Sequence, residues 1–214
     1  MIKRLGFYIS DGFDPYINLA REKCLFDMIE PDVCTLYLWQ NQNTVVIGKN
    51  QNALAECRTE LLQSEGGHLA RRLSGGGAVF HDLGNLNFTF LCSADSFDVA
   101  KQLDVIAYAC RLAGIEVKPS GRNDLLADGR KFSGNAFYSV GENKCHHGTV
   151  LIASDMGRLS NYLTVSARGL CIYSKRSASL RNDRKLARDV VDFLVRDEAE
   201  AEVAEVVENR SATR

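Results

Sequence analysis

Three consecutive glycines, Gly75, Gly76 and Gly77, interrupt a stretch that otherwise reads as strand: RRLSGGGAVFHDLGN, residues 71–85. Glycine loses the most backbone freedom on folding and gives a strand no side chain to pack. A regular ladder therefore does not run through this point. The chain has to leave the sheet, form a loop and re-enter. A loop without Cβ atoms leaves its main chain open to close approach by a ligand or another backbone segment.

The flanking sequence alternates between the period of a strand and that of a helix. RLGFYIS reads as a first strand, and NLAREKCLFDMI as a helix with Leu19, Cys24, Leu25 and Met28 near helical spacing. TLYLWQ and TVVIGKN, separated by NQN, read as a hairpin. NALAECRTELLQSEGG reads as one helix ending in glycines. A strand, the glycine loop, a short strand, a DLGN turn and another strand follow. In Leu86-Asn87-Phe88-Thr89-Phe90 the alternation is clean, one face apolar and one polar.

SFDVAKQLDVIAYACRLAGIE reads as a helix capped by Ser96 and closed by Gly114, with Val99, Leu103, Ile106, Cys110 and Ala113 on one face. IEVKPS is a strand, NDLLADGRKFSGNAFY a strand, Asp-Gly turn and strand, KCHHGTVLIASD a strand, and MGRLSNYL a short helix. Beyond Thr164 the chain turns basic and serine-rich in SKRSASLRND, then acidic and helical before a polar tail. These elements predict an α+β fold with a mixed, largely antiparallel sheet flanked by helices.

Composition bounds the function. A net charge of −1 gives no global attraction to nucleic acid or an anionic membrane, so any anion site is local. No stretch approaches the roughly 20 apolar residues of a membrane span, and no secretory leader is visible. The seven cysteines include no CxxC pair and fit reduced thiols in a cytosolic protein better than a disulfide framework.

Four segments carry groups suited to chemistry. Arg72 and Ser74 stand at the entrance of the glycine loop, and a guanidinium fork suits phosphate or carboxylate. The competing reading is a glycine-rich hairpin with solvated arginines. Lys131, in GRKFSGNAFY, has small neighbours Ser133 and Gly134 that leave room beside its ammonium, although a lysine at a hairpin start is ordinarily a solvated group. Arg122, Asn123 and Asp124 bring charge and an amide to one corner, also the composition of an ordinary turn. His146 and His147 are adjacent on a strand, so they point to opposite faces, and no His/Cys set has zinc spacing.

Taken in order, RRLSGGGAVFHDLGN, GRNDLL, RKFSGNAFY and HHGT resemble the lipoate–protein ligase A family, as do LWQNQNTVVIGKNQNALAEC upstream and SDMGRLSNYL downstream. The resemblance covers roughly residues 3 to 182. It implies the catalytic fold shared with biotin–protein ligases over 1–182, with 183–214 an acidic helix and tail and the family's small C-terminal domain absent.

It also implies a two-step reaction. Lipoate attacks the α-phosphate of ATP, with Mg2+, to give lipoyl-adenylate. A lysine of a lipoyl domain then takes the acyl group. Implied acceptors are the acyltransferase subunits of 2-oxoacid dehydrogenases and the glycine cleavage H protein, with a separate small accessory protein as a further partner.

Carried over residue by residue, the family's nucleotide contacts fall on Arg72, Gly77, Ala78, Val79, Phe80, Asn123, Asp124 and Lys131. Its lipoate contacts fall on Ser74, Gly75, Gly76, His81 and Lys131, with Lys131 catalytic and Asp124 the candidate metal ligand. Asp82 is expected to shape the pocket or its turn, and Lys175 and Arg181 to assist from the basic segment. Two rivals stand beside this. One is an octanoyl or lipoyl transferase without ATP, for which Cys145 is the thiol near a histidine. The other is a protein that binds lipoate or its adenylate without turnover.

Overall fold

The computed structural model describes residues 2–120 and 124–164. In chain order its elements are β1 (Arg4–Ile9), α1 (Pro15–Asp27), β2 (Val33–Trp39), β3 (Thr44–Ile47), α2 (Ala53–Glu56), α3 (Thr59–Ser64), β4 (His68–Arg71) and β5 (Val79–His81). There follow β6 (Asn85–Ser93), α4 (Val99–Leu112), β7 (Val117–Ser120), β8 (Asp124–Ala127), β9 (Arg130–Val140), β10 (Asn143–Leu151) and α5 (Met156–Tyr162). Seven strands form one sheet in the order β1-β2-β6-β10-β9-β8-β7; three form a second in the order β4-β3-β5. Among the described strands only β1–β2 and β3–β4 pair in parallel. The α+β, largely antiparallel expectation holds.

The alternating β6 segment decides the packing. Leu86, Phe88, Phe90 and Cys92 share one face with Leu36 and Leu38 of β2 and Val150 of β10, and Ile106, Ala107 and Cys110 of α4 pack onto it. Each large apolar side chain removed from water there contributes roughly 1.5–3 kcal/mol. A smaller core fills the outer side of the three-stranded sheet, where Val45, Ile47 and Phe80 meet Leu62, Leu159 and Tyr162.

Four local expectations are corrected. First, β2 and β3 are not a hairpin. Asn43, at φ 42, turns the chain out of the large sheet, and β3 pairs with β4 and β5 instead. Second, the helix read over 52–67 is two short ones, because Cys57 adopts an extended conformation and bridges Leu163 beyond α5.

Third, α4 is capped by Asp98, whose carboxylate accepts from Lys101 N–H; Ser96 lies in a preceding 3-10 turn. Gly114, at φ +78, closes that helix as expected. Fourth, α1 does not bury the apolar set. Its inward residues are Pro15, Asn18, Glu22 and Phe26, while Cys24 and Met28 are exposed. The cause is the surface that α1 covers.

Candidate active site

That surface is the second face of the large sheet, and it is polar. Thr89 of β6 lies opposite Tyr37 of β2 and His147 of β10; Asn87 lies opposite Trp39 and Thr149. A polar face on an alternating strand is ordinarily turned to solvent. Instead Asn85, Asn87, Thr89, His147 and Thr149 are all buried. Buried polar groups require partners, and α1 supplies several. Asn18 accepts from the Tyr37 hydroxyl at 3.1 Å and donates to the Gln40 carbonyl at 2.8 Å. The Glu22 carboxylate accepts from Thr89 at 2.7 Å and pairs with His147 Nδ1 at 2.8 Å. Burial works to raise the Glu22 carboxyl, but His147, Thr89 and Arg72 together outweigh it and hold it below its ordinary value.

The glycine loop joins β4 to β5 over this face. Arg72 is buried, and its guanidinium grips the loop from beneath. It donates to the carbonyls of Gly75 and Gly77, both at 2.7 Å, to the Val46 carbonyl at 3.2 Å and to Ser74 Oγ at 3.0 Å. Gly76, at φ +94, takes a conformation that side chains disfavour. Gly48 lies so close that a Cβ there would collide with the Gly76 carbonyl. Among the described residues, the N–H groups of Gly75, Gly76 and Gly77 donate to no protein acceptor. Arg72 draws down the carbonyls of Gly75 and Gly77, and all three glycines are exposed, so their N–H groups are open to a ligand. Ala78 and Val79 are half-buried at its exit, whereas the Phe80 ring faces away, into the small core against Tyr162.

Lys131 is not a solvated surface lysine. Its side chain is buried, and its ammonium is 2.7 Å from Asp124 Oδ1. Register explains how it gets there. Gly134 lies opposite Asp124 and Thr149, on the polar face. Regular alternation would then turn residue 131 to the α4 side. An irregularity between Leu125 and Leu126 pairs Leu125 with Ser133 but Leu126 with Lys131. The extra residue, Phe132, is buried in the α4 core. The bulge thus re-aims Lys131 to the polar face. The Asp128-Gly129 turn before it has φ 49 and 72, fitting the mirror-image hairpin turn that this dipeptide favours.

The histidines divide as the strand requires. His146 faces α4, bonded to Gln102 and Asn135, and burial, then His147, lowers it to about 3. His147 Nε2 lies 2.6 Å from Ser74 Oγ. His81, from β5, is lowered to about 3 by burial, then by Arg72 and His147. It is therefore neutral. Its Nδ1 is 3.2 Å from the Asn41 amide, and among the described residues its Nε2 has no partner; nor do Asn85 Oδ1 and Asn87 Nδ2. These orphaned groups are the signature of a site that receives polar atoms from elsewhere.

Asp82 takes the turn role: it accepts from Gly84 N–H and from Asp155 N–H, tying the DLGN turn to α5. A separate cleft of about 570 Å³, between Asn43, Glu65, His68, Asp82 and Arg158, includes none of the expected ligand contacts. Arg122, Asn123, Cys171, Lys175, Arg181 and 183–214 lie outside the described residues.

Glu22, Thr89, Trp39 and Asn41 belong to the site but are not in the sequence-derived set. One signal was available: the polar positions of β6 are Asn and Thr, without a charge, as a buried polar face demands and a solvated one does not. Glu22 gives no such signal.

Among the described residues no helix is long and apolar enough to cross a membrane. Residues 14–204 match the family model for the lipoyl protein ligase A/B catalytic domain. The chain is 44% identical over 184 residues to lipoate–protein ligase A of Bdellovibrio bacteriovorus, covering 84% of this chain and 54% of that relative. It thus spans about half that relative's length.

Among solved structures it is similar to the bi-partite lipoate protein ligase of the archaeon Thermoplasma acidophilum, described with its E2 lipoyl domain, at TM-score 0.77 and 26% identity. That match covers 96% of this chain and 86% of that one. It is equally similar, at TM-score 0.77 and 26% identity over 94% and 85% of the two chains, to a lipoate–protein ligase A bound with ATP. A match to the family model over residues 14–204, with 44% identity to a relative over 84% of the chain and a fold shared with these ligases, places the chain in the lipoyl protein ligase A/B catalytic domain family.

Proposed function

We propose that this chain carries the catalytic centre of a lipoate–protein ligase, joining lipoate to a lysine of a lipoyl domain through lipoyl-adenylate formed from ATP. The observation that carries the reading is the pairing of two kinds of donor. The Lys131 ammonium is fixed on the buried polar face, and the glycine loop, whose Gly75, Gly76 and Gly77 N–H groups have no acceptor among the described residues, is tied to that face through Ser74 and His147. Negative charge grows on the α-phosphate in the first step and on the acyl oxygen in the second, and both donor sets meet it without reorganisation. A fixed cation about 4 Å from such an oxygen, at an effective dielectric near 20, interacts by roughly 4 kcal/mol before desolvation.

Arg72 acts on the nucleotide by shaping the loop, with Gly77, Ala78 and Val79 at its edge. Ser74 and His81 line the acyl side. The ATP-bound ligase supports the nucleotide, and the archaeal ligase described with its E2 lipoyl domain supports the acceptor class. Glycine cleavage H protein, an accessory small protein and a cytosolic setting belong to the same reading.

Magnesium is expected with ATP. Asp124 is a single carboxylate committed to Lys131, and the three-residue cluster found among the described residues, Glu22, Cys145 and His147, is a buried set unlike the oxygen ligands magnesium takes. These residues do not form a magnesium cage.

The transferase reading loses support. Burial, then Glu22 and Cys92, pushes the Cys145 thiol well above its ordinary value. Cys92, held below its ordinary value chiefly by a hydrogen bond from Cys34, sits in the α4 core on the opposite face.

The test is the intact mass of an apo lipoyl domain incubated with this chain, lipoate, ATP and magnesium, beside a tube holding synthetic lipoyl-adenylate. One added lipoyl group in both is the expected result. A gain only from the adenylate assigns activation to a further domain or partner; no gain in either refutes the ligase reading.

A further inference from the structure

A chain of hydrogen bonds crosses the polar face, and each link fixes the next. Trp39 Nε1–H donates to Thr89 Oγ1 at 3.0 Å. Thr89, its oxygen engaged, donates its own proton to Glu22 Oε1 at 2.7 Å. The same carboxylate oxygen lies 2.8 Å from His147 Nδ1, and a carboxylate only accepts, so Nδ1 carries the hydrogen. In the neutral ring Nε2 is then an acceptor, and the hydroxyl 2.6 Å away is that of Ser74. Arg72 Nε–H fills one acceptor position of that hydroxyl at 3.0 Å, leaving the other.

The result is a serine hydroxyl held by a histidine that is oriented by a carboxylate, the arrangement that accepts a proton during acyl transfer. It lies on the same sheet face as the Lys131–Asp124 pair. Gly134 pairs with both Asp124, the partner of Lys131, and Thr149, which is two residues along the same strand face from His147. Ser74 opens the glycine loop.

The second step needs such a relay. The acceptor lysine arrives as an ammonium with a pKa near 10.4. After its first proton leaves to water, the amine still carries a surplus proton once it has attacked. Resting on the ligase reading, we propose that Ser74 and His147 remove that proton and that Glu22 is the positioning residue behind them. The amine nitrogen bonds to the acyl carbon, the acyl carbon–oxygen bond to the phosphate breaks, and AMP leaves. The nitrogen's proton passes to Ser74 Oγ as the Ser74 proton passes to His147 Nε2. The imidazolium so formed faces the Glu22 carboxylate and discharges to solvent. The other titratable or charged groups around the relay are Arg72 from the loop, His81 from β5, Cys145 on β10 and Tyr37 on β2.

The experiment separates the half-reactions. Pyrophosphate release from lipoate and ATP, and single-turnover transfer from preformed lipoyl-adenylate to an apo lipoyl domain, are measured for wild type, S74A, H147Q and E22Q, with thermal unfolding as the check on folding. In S74A, transfer falls about a hundredfold, at least ten times further than pyrophosphate release. In H147Q transfer falls by a comparable factor while pyrophosphate release is spared, and E22Q shows the same split with a smaller loss, as expected of a residue that acts through His147.

A wild-type transfer rate in S74A overturns the relay. Equal losses in both half-reactions also overturn it, since they assign the three residues to holding the loop. If wild type transfers from the adenylate but releases no pyrophosphate, the failure belongs to activation and the transfer data still decide the relay. Absence of transfer in wild type refutes relay and ligase reading together.

Discussion

The two faces of the seven-stranded sheet are covered by helices of similar length and opposite character. α4 closes its face with Ile106, Ala107 and Cys110 against Phe88, Phe90 and Phe132. α1 closes the other with Asn18 and Glu22 against Tyr37, Thr89 and His147. The first face gains stability from area removed from water. The second trades water's hydrogen bonds for protein ones at little net gain, and it leaves buried atoms of His81, Asn85 and Asn87 unpaired, at a cost of roughly 1–3 kcal/mol each. Sequence consistency is broken mainly on the α1 side, and such breaks concentrate where a protein acts.

Substitutions should therefore separate by face. The largest effect is expected for Lys131→Ala: about a thousandfold loss of ligation, with an unfolding midpoint that moves less than for a core truncation. Near-normal turnover in that variant would remove Lys131 from the mechanism. Ile106→Ala is the mirror case. Urea unfolding should show a loss of about 2–5 kcal/mol while the rate per folded molecule stays put; a selective rate defect would dissolve the distinction between the faces.

Arg72→Ala comes next. With the loop carbonyls released, the apparent KM for ATP should rise about tenfold, and an unchanged ATP dependence would refute the assignment.

The smallest effect is on pH. His81 and His146, one on each side, are both lowered to about 3 in the fold and so stay neutral where the unfolded chain takes up protons. The stability they contribute is complete above about pH 6.5 and drains as pH falls toward 3. In His146→Gln the slope of unfolding free energy against pH should shrink by about one proton; an identical slope would contradict the buried, neutral assignment.

The same contrast decides how much could be read from the sequence. Periodicity located α4 and much of its inward face, since Ile106 and Cys110 recur at helical spacing. It located α1 as a helix but misjudged its buried face, because periodicity detects oil and α1 turns inward an asparagine and a glutamate. The glycine loop, with Arg72 and Ser74 at its entrance, stood out from the residues themselves, whereas the role of Lys131 came through motif resemblance. Glu22 and Thr89 were missed because their importance depends on partners far away in the chain. The supposed β2–β3 hairpin failed for a related reason: Asn43 is a good turn residue, but nothing local says which sheet the next strand joins.

The bulge in β9 makes the two covers less independent than they look. In a strand, odd and even positions serve opposite clients, and the count is normally unbroken. Here it is reset by one at Phe132, whose phenyl ring lies wholly within the α4 core. The grip of oil on that ring is what keeps the count reset. Without it the strand is free to slip one rung into regular pairing, and the ammonium would swing from Asp124 toward Ile106 and its neighbours. A lesion at Phe132, which faces the opposite side from the loop, would thus look in an assay like a lesion of the lysine itself. The hydrophobic core is here the instrument that aims a charge.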